Sequence, residues 1–209
     1  NIISARLSPK LGYKYNDIEV VMSTIDKSIQ RKILSQNSAK VQSPKSVIFG
    51  GDLNKILDNI RFPMVVKISK SSGGRGIIGV SNLKELKLAL LKAKNINQSN
   101  GKILVEQFID GTQLSVETLT VDFKHYIIGI TKEVVSPSPL FIERSHFMSK
   151  RIHDKYYPLL LNPIRELLSI FKLKWGPCHI ELKIKNGEVW LVEIASRSGG
   201  LRDRLMHNA

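Results

Sequence analysis

Apolar residues recur along the chain with two different periods. A spacing of three and four positions occurs in residues 25–34, 52–60, 82–93 and 157–171. Such spacing predicts amphipathic helices, and because proline fits best in the first helical turn, Pro163 predicts that the last helix begins near Asn162. Short apolar runs typical of strands occur at residues 45–49, 63–68, 103–109, 114–121, 126–130, 176–184 and 189–193. An antiparallel sheet is therefore expected from residue 114 onwards.

Two turns in this pattern predict hairpins. Asn186-Gly187, between two strand-like runs, is the strongest short-range hairpin signal, and it would align Glu181 with Glu193 across the strands. Glu193 lies within an apolar run, where a carboxylate is costly to bury unless it is paired or bound to a metal. The second hairpin is predicted around a Ser/Gly-rich segment at residues 69–76, the glycine loop.

The glycine loop carries Arg75 between glycines and could lay backbone N–H groups on phosphate oxygens as a flexible lid. Gly-Gly turns also occur in hairpins that bind nothing, so the loop alone does not decide between the two interpretations. No Gly-Lys-Ser/Thr ends the loop, and a strand rather than a helix follows it. These two features exclude a Walker loop and a dinucleotide-binding fingerprint.

Composition narrows the class of protein. The 209 residues are 42% hydrophobic and 24% charged, as in a globular protein, and no apolar run approaches the roughly 18–20 residues of a membrane span. Because the chain also lacks a signal-peptide pattern, a cytoplasmic location is predicted. The lone cysteine, Cys178, permits no internal disulfide and is expected to be a small buried side chain.

The formal charge of +14, from 32 Lys and Arg against 18 Asp and Glu, favours anionic partners. Nucleic acid, nucleotide phosphates and acidic membranes would all fit such a charge. The basic residues are scattered, however, with no arginine-rich tail and no aromatic residues interleaved on a basic strand. A solvated, lysine-rich face is therefore favoured over a nucleic-acid surface.

Five motifs occur in an order that resembles the ATP-grasp superfamily, in its carboxylate–amine branch of L-amino-acid ligase-like enzymes. They are Asp26-Lys27, residues 63–67 before Ser72-Gly73-Gly74-Arg75-Gly76, residues 104–111 with Ser115-Val116-Glu117, His179-Ile180-Glu181, and residues 193–200. Together they cover most of residues 20–200. The resemblance implies an α+β ATP-grasp fold in which two α+β subdomains clasp ATP.

The resemblance also implies a domain organisation and a reaction. Residues 1–25 are expected to be the tail of an upstream α/β domain, residues 26–104 the small or lid subdomain, and residues 105–209 a large subdomain that continues beyond the chain. In such enzymes ATP, with Mg²⁺ or else Mn²⁺, phosphorylates a small-molecule carboxylate. An amine then attacks the acyl phosphate to form an amide, and ADP and phosphate are released. A homodimer is compatible with this interpretation.

Site residues follow from the same resemblance. Mg²⁺ would be held by Glu181 and Glu193, and Arg197 would stabilise the acyl phosphate and the tetrahedral species formed by amine attack. The nucleotide would contact two lysines, the glycine loop, a hinge beside adenine and an acidic residue at the ribose. In that order, these residues are Lys27 and Lys67; Ser72, Gly73, Gly74 and Gly76; Glu106, Gln107, Phe108 and Ile109; and Glu117. His146 and His179 are only substrate-side candidates.

Two observations keep alternatives open. Members of the superfamily often carry asparagine two residues after the second metal-binding glutamate, where this chain has Ala195, so the second metal position is expected to be weaker. The nucleotide motifs also do not name the acceptor. A carboxylating or carbamoyl-phosphate-type enzyme of the same fold is one alternative, and a non-catalytic nucleotide-binding or nucleic-acid-binding module is another.

Overall fold

The computed structural model describes residues 2–97 and 100–200. The α-helices are α1 (Ile2–Leu7), α2 (Ile18–Ser23), α3 (Lys27–Ser35), α4 (Asn54–Asn59), α5 (Leu83–Ile96) and α6 (Lys150–Ile170). The strands are β1 (Val41–Gln42), β2 (Ser46–Ile48), β3 (Met64–Ile68), β4 (Ile78–Val80), β5 (Ile103–Gln107), β6 (Thr112–Val121), β7 (Lys124–Val135), β8 (Glu143–Met148), β9 (Trp175–Lys185) and β10 (Glu188–Ala195). Within these two ranges, no helix combines the length and the apolar character needed to cross a membrane.

The strands form two sheets, each the centre of one subdomain. In the small subdomain the strand order is β2-β5-β3-β4, and every pairing is antiparallel. In the large subdomain the order is β1-β10-β9-β6-β7-β8, where β1 lies parallel to β10 and the other pairings are antiparallel. The predicted hairpin of β3 and β4 and the predicted antiparallel sheet from β6 onwards are confirmed.

The described chain crosses between the two sheets at only two places, which lie side by side. Residues 43–45 lead from β1 to β2, and residues 108–111 lead from β5 to β6. The backbone N–H of Gln107, the last residue of β5, donates to the Lys45 carbonyl over 2.9 Å and holds the first crossing beside the start of the second. The predicted division between residues 104 and 105 is therefore wrong, because it falls inside β5, which pairs along its whole length with β3.

Each sheet has its own core. On the large sheet, Leu160 and Ile164 of α6 pack in one buried cluster that also includes Leu34 of α3 and Val41 of β1. Residues 26–42, which were expected in the small subdomain, thus pack with the large one. Helix α5 covers the small sheet and buries Leu86 in a second cluster. Residues 201–209, the end of the predicted large subdomain, lie outside the described residues.

The segment before α3 packs against the large subdomain. Asn16 fixes it, because its Nδ2 donates to the Trp175 carbonyl over 2.6 Å and its Oδ1 accepts from the backbone N–H groups of Lys174 and Trp175. Helix α3 then follows Asp26, whose side chain accepts from the backbone N–H of Ser28 as an N-cap. That residues 1–25 are the tail of an upstream domain stays a prediction.

The prediction that the last helix begins near Asn162 is wrong. Helix α6 begins at Lys150, after the N-cap Ser149, and contains both Pro158 and Pro163. Each interior proline costs about 3 kcal/mol. Full burial of a Leu or Ile side chain contributes about 1.5–3 kcal/mol, and α6 buries four such side chains: Leu160, Ile164, Leu167 and Leu168. Packing against the sheet therefore offsets the cost of the prolines.

The predicted Asn-Gly hairpin is confirmed. Asn186 and Gly187 have φ angles of 51° and 80°, the left-handed conformations that a two-residue type I′ turn requires. A bulge between Leu191 and Glu193 then brings Glu193 opposite Glu181 on the neighbouring strand. The two carboxylates predicted to bind metal are thus cross-strand neighbours.

Gly111, in the second crossing, leaves no room for a side chain, because a Cβ atom there would lie 2.5 Å from the Ile184 carbonyl oxygen. We expect Gly111→Ala to lower the free energy of unfolding by about 1–3 kcal/mol, the usual cost of overpacking. Gly50→Ala is the control, since nothing lies within 4 Å of a Cβ at that position. Urea denaturation followed by circular dichroism measures both variants, and equal midpoints would show that the crossing does not need its glycine.

Candidate functional site

A cleft of about 110 Å³ lies between the two subdomains, and residues from both sheets line it. The small subdomain contributes β3, β5 and the glycine loop, and the large subdomain contributes β9 and β10. The predicted site residues in the lining are Lys67, Gly73, Gly74, Glu106, Gln107, Phe108, Ile109, Glu181 and Glu193. The structure therefore brings nine of the predicted residues together at one cleft.

A buried ion-pair network forms one wall of the cleft. The Nε and Nη2 atoms of Arg31 donate to the two carboxylate oxygens of Glu106 over 2.6 and 3.2 Å. Lys67 Nζ lies 2.7 Å from Glu106 Oε2, and all three side chains are buried. Arg31 Nη2 also donates to the Val192 carbonyl over 2.7 Å. The network therefore joins β3 and β5 of the small sheet to α3 and β10 of the large subdomain.

The network shifts the protonation equilibria of its members. Burial acts to raise the pKa of Glu106, but the charges of Arg31 and Lys67 outweigh burial and hold it at about 2. Burial lowers the pKa of Lys67, and the nearby charges of Arg31 and Lys27 act in the same direction, against Glu106. Glu106 is thus ionised at neutral pH, and Lys67 holds its proton less tightly than a solvated lysine does.

Glu193, predicted to bind metal, is paired with Lys27, predicted to bind phosphate. Glu193 Oε2 lies 2.9 Å from Lys27 Nζ, which also donates to the Ser71 carbonyl over 2.7 Å. The backbone N–H of Lys27 donates to the Ser69 carbonyl over 2.9 Å. One lysine at the start of α3 therefore connects the glycine loop to β10.

His179 links the other predicted metal ligand to Glu117. Its Nδ1 contacts Glu117 Oε1, and its Nε2 lies 3.4 Å from Glu181 Oε1. Burial acts to lower the pKa of His179, but hydrogen bonds to the two carboxylates outweigh burial and raise it to about 9. Burial acts to raise the pKa of Glu181, yet His179, Lys27 and Lys67 together lower it. These groups therefore keep the carboxylate of Glu181 ionised.

Lys183 lines the cleft without having been predicted. Its Nζ donates to the Ile109 carbonyl over 2.9 Å and lies 4.5 Å from the centre of the Phe108 ring. Phe108 stacks on Phe141, with ring centres 5.4 Å apart. Burial lowers the pKa of Lys183 to about 8. The available signal in the sequence was its spacing, because a residue two positions after Glu181 shares its face of the strand.

Two glutamates predicted to contact the nucleotide are engaged within the protein. The carboxylate of Glu106 is bound by Arg31 and Lys67. Glu117, predicted at the ribose, is buried, and beside its contact with His179 it accepts from the backbone N–H of Gly199 over 3.1 Å. It is not among the residues that line the cleft. The nucleotide contacts of both glutamates stay predictions.

The remaining predicted residues are not among those that line the cleft. Ser72 and Gly76 belong to the glycine loop, and Gly76 has a φ of 75°, which favours glycine. Arg197 follows β10, and its Nη1 donates to the Ser198 carbonyl over 2.9 Å. Ala195, at the end of β10, is buried and offers no side-chain oxygen. Lys27 reaches the cleft through its ion pair with Glu193.

The combined donor set suits a metal-bound polyphosphate. Glu181 and Glu193 lie opposite each other on adjacent strands, and Mg²⁺ is bound by such carboxylates together with phosphate oxygens. Lys27 and Lys67 are fixed by ion pairs near the same carboxylates and can neutralise phosphate charge. The residues present therefore fit a magnesium–nucleotide complex.

Comparisons with known proteins agree with this chemistry. The ATP-grasp domain family matches residues 60–203. A phosphoribosylamine–glycine ligase of Fusobacterium nucleatum is 25% identical over 202 residues, which cover 87% of this chain and 46% of the relative. The crystal structure of an L-amino acid ligase from Bacillus licheniformis superposes with a TM-score of 0.78 at 24% identity, over 95% of this chain and 47% of the other.

A third similar protein was solved with a nucleotide. The biotin carboxylase domain dimer of the Hydrogenobacter thermophilus 2-oxoglutarate carboxylase, in complex with ADP, magnesium and bicarbonate, superposes with a TM-score of 0.74 at 17% identity, over 97% of this chain and 47% of that one. The chain thus spans less than half the length of these three relatives. The superpositions confirm the predicted α+β fold of two clasping subdomains.

The ion-pair network makes a prediction about acid stability. We expect Glu106→Gln to lower the free energy of unfolding at pH 7 by about 3–5 kcal/mol, because Arg31 and Lys67 lose the carboxylate that pairs them. The pKa of Glu106 is about 2 in the folded protein, against an ordinary 4.5. The stabilisation is therefore fully present above about pH 4.5 and is lost as the pH falls from there towards 2.

Urea denaturation at pH 7 and at pH 3 measures this effect in the variant and the wild type. The difference between their midpoints should shrink at the lower pH. Glu188→Gln, which changes an exposed carboxylate at the start of β10, is the matched control and should leave the midpoint unchanged at pH 7. If Glu106→Gln unfolds at the same urea concentration as this control, the network does not stabilise the fold.

Proposed function

Because the chain belongs to the ATP-grasp family, as the match over residues 60–203 shows, we propose that it acts in an ATP- and Mg²⁺-dependent ligase. A carboxylate oxygen of a small acid attacks the γ-phosphorus of ATP, ADP leaves, and an amine displaces phosphate from the acyl phosphate and loses a proton to give an amide. The observation that carries this proposal is the meeting of Glu181, Glu193, Lys27 and Lys67 at one cleft.

Glu181 and Glu193 would hold Mg²⁺, which when bound neutralises charge on the phosphates. Lys27 and Lys67 would bind phosphate oxygens, and Lys27 would leave Glu193 to do so. Since phosphoryl transfer needs mainly alignment and neutralisation of charge, no protein nucleophile is required. Arg197, at the end of β10, would stabilise the acyl phosphate and the tetrahedral species that follows it.

The cleft must widen before a nucleotide enters, because 110 Å³ is below the roughly 300–1,000 Å³ of small-molecule sites. The β3–β4 hairpin with its glycine loop would move. It is held to the large subdomain by the backbone N–H of Gly79, which donates to the Pro139 carbonyl over 2.9 Å. A Cβ at Gly79 would lie 2.7 Å from the Phe141 ring, so glycine permits this approach. Closure would keep water from the acyl phosphate.

The adenine ring would lie beside the hinge formed by Gln107, Phe108 and Ile109, which line the cleft. The Ile109 carbonyl accepts from Lys183 in this structure and is the kind of acceptor that an exocyclic amino group requires. Lys183 would then donate to a ring nitrogen or a phosphate oxygen. Phe108 would supply apolar contact at the edge of the base.

The names of two relatives, a phosphoribosylamine–glycine ligase and an L-amino acid ligase, support an amino compound among the substrates. The identities of the acid and the amine are not part of the proposal. We also propose that the protein forms a homodimer, as the similar carboxylase domain does, and that it is located in the cytoplasm.

Ala195 favours a second candidate, a nucleotide-binding module without ligase activity. The residue is buried at the end of β10 and cannot supply the side-chain oxygen that family members often place there. This candidate predicts that Mg-ATP binds without turnover. The product assay below separates the two functions.

The metal assignment can be tested by thermal unfolding with Mg-ATP and with ATP plus EDTA. Loss of a hydrogen-bond partner of a metal ligand alone weakens metal binding by about 10–100-fold. We therefore expect Glu193→Gln, which alters a ligand itself, to weaken the magnesium-dependent part of nucleotide binding by at least about 10–100-fold. The magnesium-dependent rise in Tm should therefore shrink. Glu188→Gln, an exposed carboxylate on the same strand, should behave like the wild type. An unchanged magnesium dependence in Glu193→Gln would refute the assignment.

The products of the reaction test the chemistry. We expect ADP and phosphate to appear in a one-to-one ratio when ATP, magnesium and pooled small acids and amino acids are supplied, and we expect Glu193→Gln to abolish this release. Chromatography of the nucleotides and a phosphate assay measure both products. AMP and pyrophosphate would contradict an acyl-phosphate mechanism, whereas Mg-ATP binding without any product would favour the non-catalytic module.

A further inference from the structure

A second concave surface lies on the other side of the first crossing. It is an open groove of about 880 Å³ between α3, α4 and the crossing at residues 43–45, and we call it the basic groove. Pro44 lines both the basic groove and the nucleotide cleft, so the two adjoin. The volume falls within the roughly 300–1,000 Å³ that small-molecule sites occupy.

Cationic side chains from three segments meet in the basic groove. They are Arg31 and Lys32 of α3, Lys45 of the crossing and Lys55 of α4. Among the described residues that line the groove, none is acidic and none is aromatic, and the other polar ones are serine, asparagine and glutamine. Glu106, which is outside this lining, neutralises Arg31, so the three lysines carry the positive charge that favours an anion.

Arg31, one of the residues that line the basic groove, also has a buried donor that its neighbours leave unused. Its Nε and Nη2 atoms are used by Glu106 and the Val192 carbonyl, but its Nη1 is buried and has no hydrogen-bond partner in the described part of the chain. A buried N–H group without a partner is unfavourable in a folded protein. Because Nη1 is buried, an anion in the groove would reach it only after a shift of the surrounding side chains.

We propose that the basic groove binds a small phosphate-bearing molecule at a site separate from the nucleotide cleft. Phosphate oxygens match ammonium, guanidinium and hydroxyl donors, which are the groups that line it. Single-stranded nucleic acid is the poorer fit, because its bases stack on aromatic side chains and the described lining has none. Such a site would explain part of the formal charge of +14, namely the groove lysines that do not line the nucleotide cleft.

Isothermal titration calorimetry with inorganic pyrophosphate tests the site, with and without saturating Mg-ADP in the same magnesium buffer. We expect binding in both conditions, because Mg-ADP would occupy the cleft and not the groove. The variant Lys32→Gln/Lys45→Gln/Lys55→Gln should bind about tenfold more weakly or worse, since it removes most of the local positive charge. It leaves Arg31 and the ion-pair network intact.

The matched control is Lys10→Gln/Lys84→Gln/Lys124→Gln, which removes the same charge from exposed positions outside the groove. It should bind pyrophosphate as the wild type does. If Mg-ADP does not bind at all, that result contradicts the proposed function. The comparison of the two triple variants still tests whether the groove binds pyrophosphate. The single variant Lys55→Gln serves if the triple variant does not fold.

Four outcomes overturn the proposal. Pyrophosphate binding that Mg-ADP abolishes and that the groove variant leaves intact would place the anion in the nucleotide cleft. Equal loss in both triple variants would reduce the effect to net charge. No pyrophosphate binding would leave the groove a solvated basic surface. Binding of a short single-stranded oligonucleotide, but not of pyrophosphate, through the same three lysines would make it a nucleic-acid surface.

Discussion

The pairing of Glu106 with Arg31 and Lys67 is the interaction on which the arrangement of the two subdomains depends. A carboxylate that is only 1% exposed cannot stay ionised unless opposite charge is held close to it, and two cations supply that charge. Because Arg31 comes from α3 and also binds the Val192 carbonyl, the network ties the small sheet to the large one at the wall of the cleft. The same ion pairs thus form the wall of the cleft and the contact between the sheets.

Most charges of the cleft are compensated by opposite charges within the protein. Lys27 lies on Glu193, and His179 lies between Glu117 and Glu181. A phosphate and a cation would therefore exchange partners with groups that are already neutralised, which costs less than desolvating free charges. The same pairing explains how carboxylates and lysines can be held close together in a site that is largely shielded from water.

Local signals in the sequence predicted more of this molecule than distant ones could. The Asn-Gly turn predicted the hairpin of β9 and β10 because turn chemistry is local, but the register of the turn alone would set Glu181 opposite Val192, and the bulge that brings Glu193 opposite Glu181 gave no local signal. The start of α6 was predicted wrongly because burial of its apolar face outweighs two prolines, and burial is not visible in local pattern. The ion pair of Glu106 with Arg31 could not be predicted from local pattern either, because the two residues are 75 positions apart and meet only in the folded structure.

The two neighbouring crossings form a two-segment hinge between the sheets. Residues 43–45 and 108–111 are short, and a hydrogen bond from Gln107, at the end of β5, to the Lys45 carbonyl holds them side by side. We therefore expect the sheets to move relative to each other mainly by rotation about this edge. The crossings enter β2 and leave β5 at one edge of the small sheet, and β4 forms the other edge. Strands lie about 4.8 Å apart, so a turn of about 20° would move β4 by roughly 3–4 Å and β5 hardly at all. The same rotation would therefore displace the glycine loop, which follows β3, far more than the residues at the end of β5.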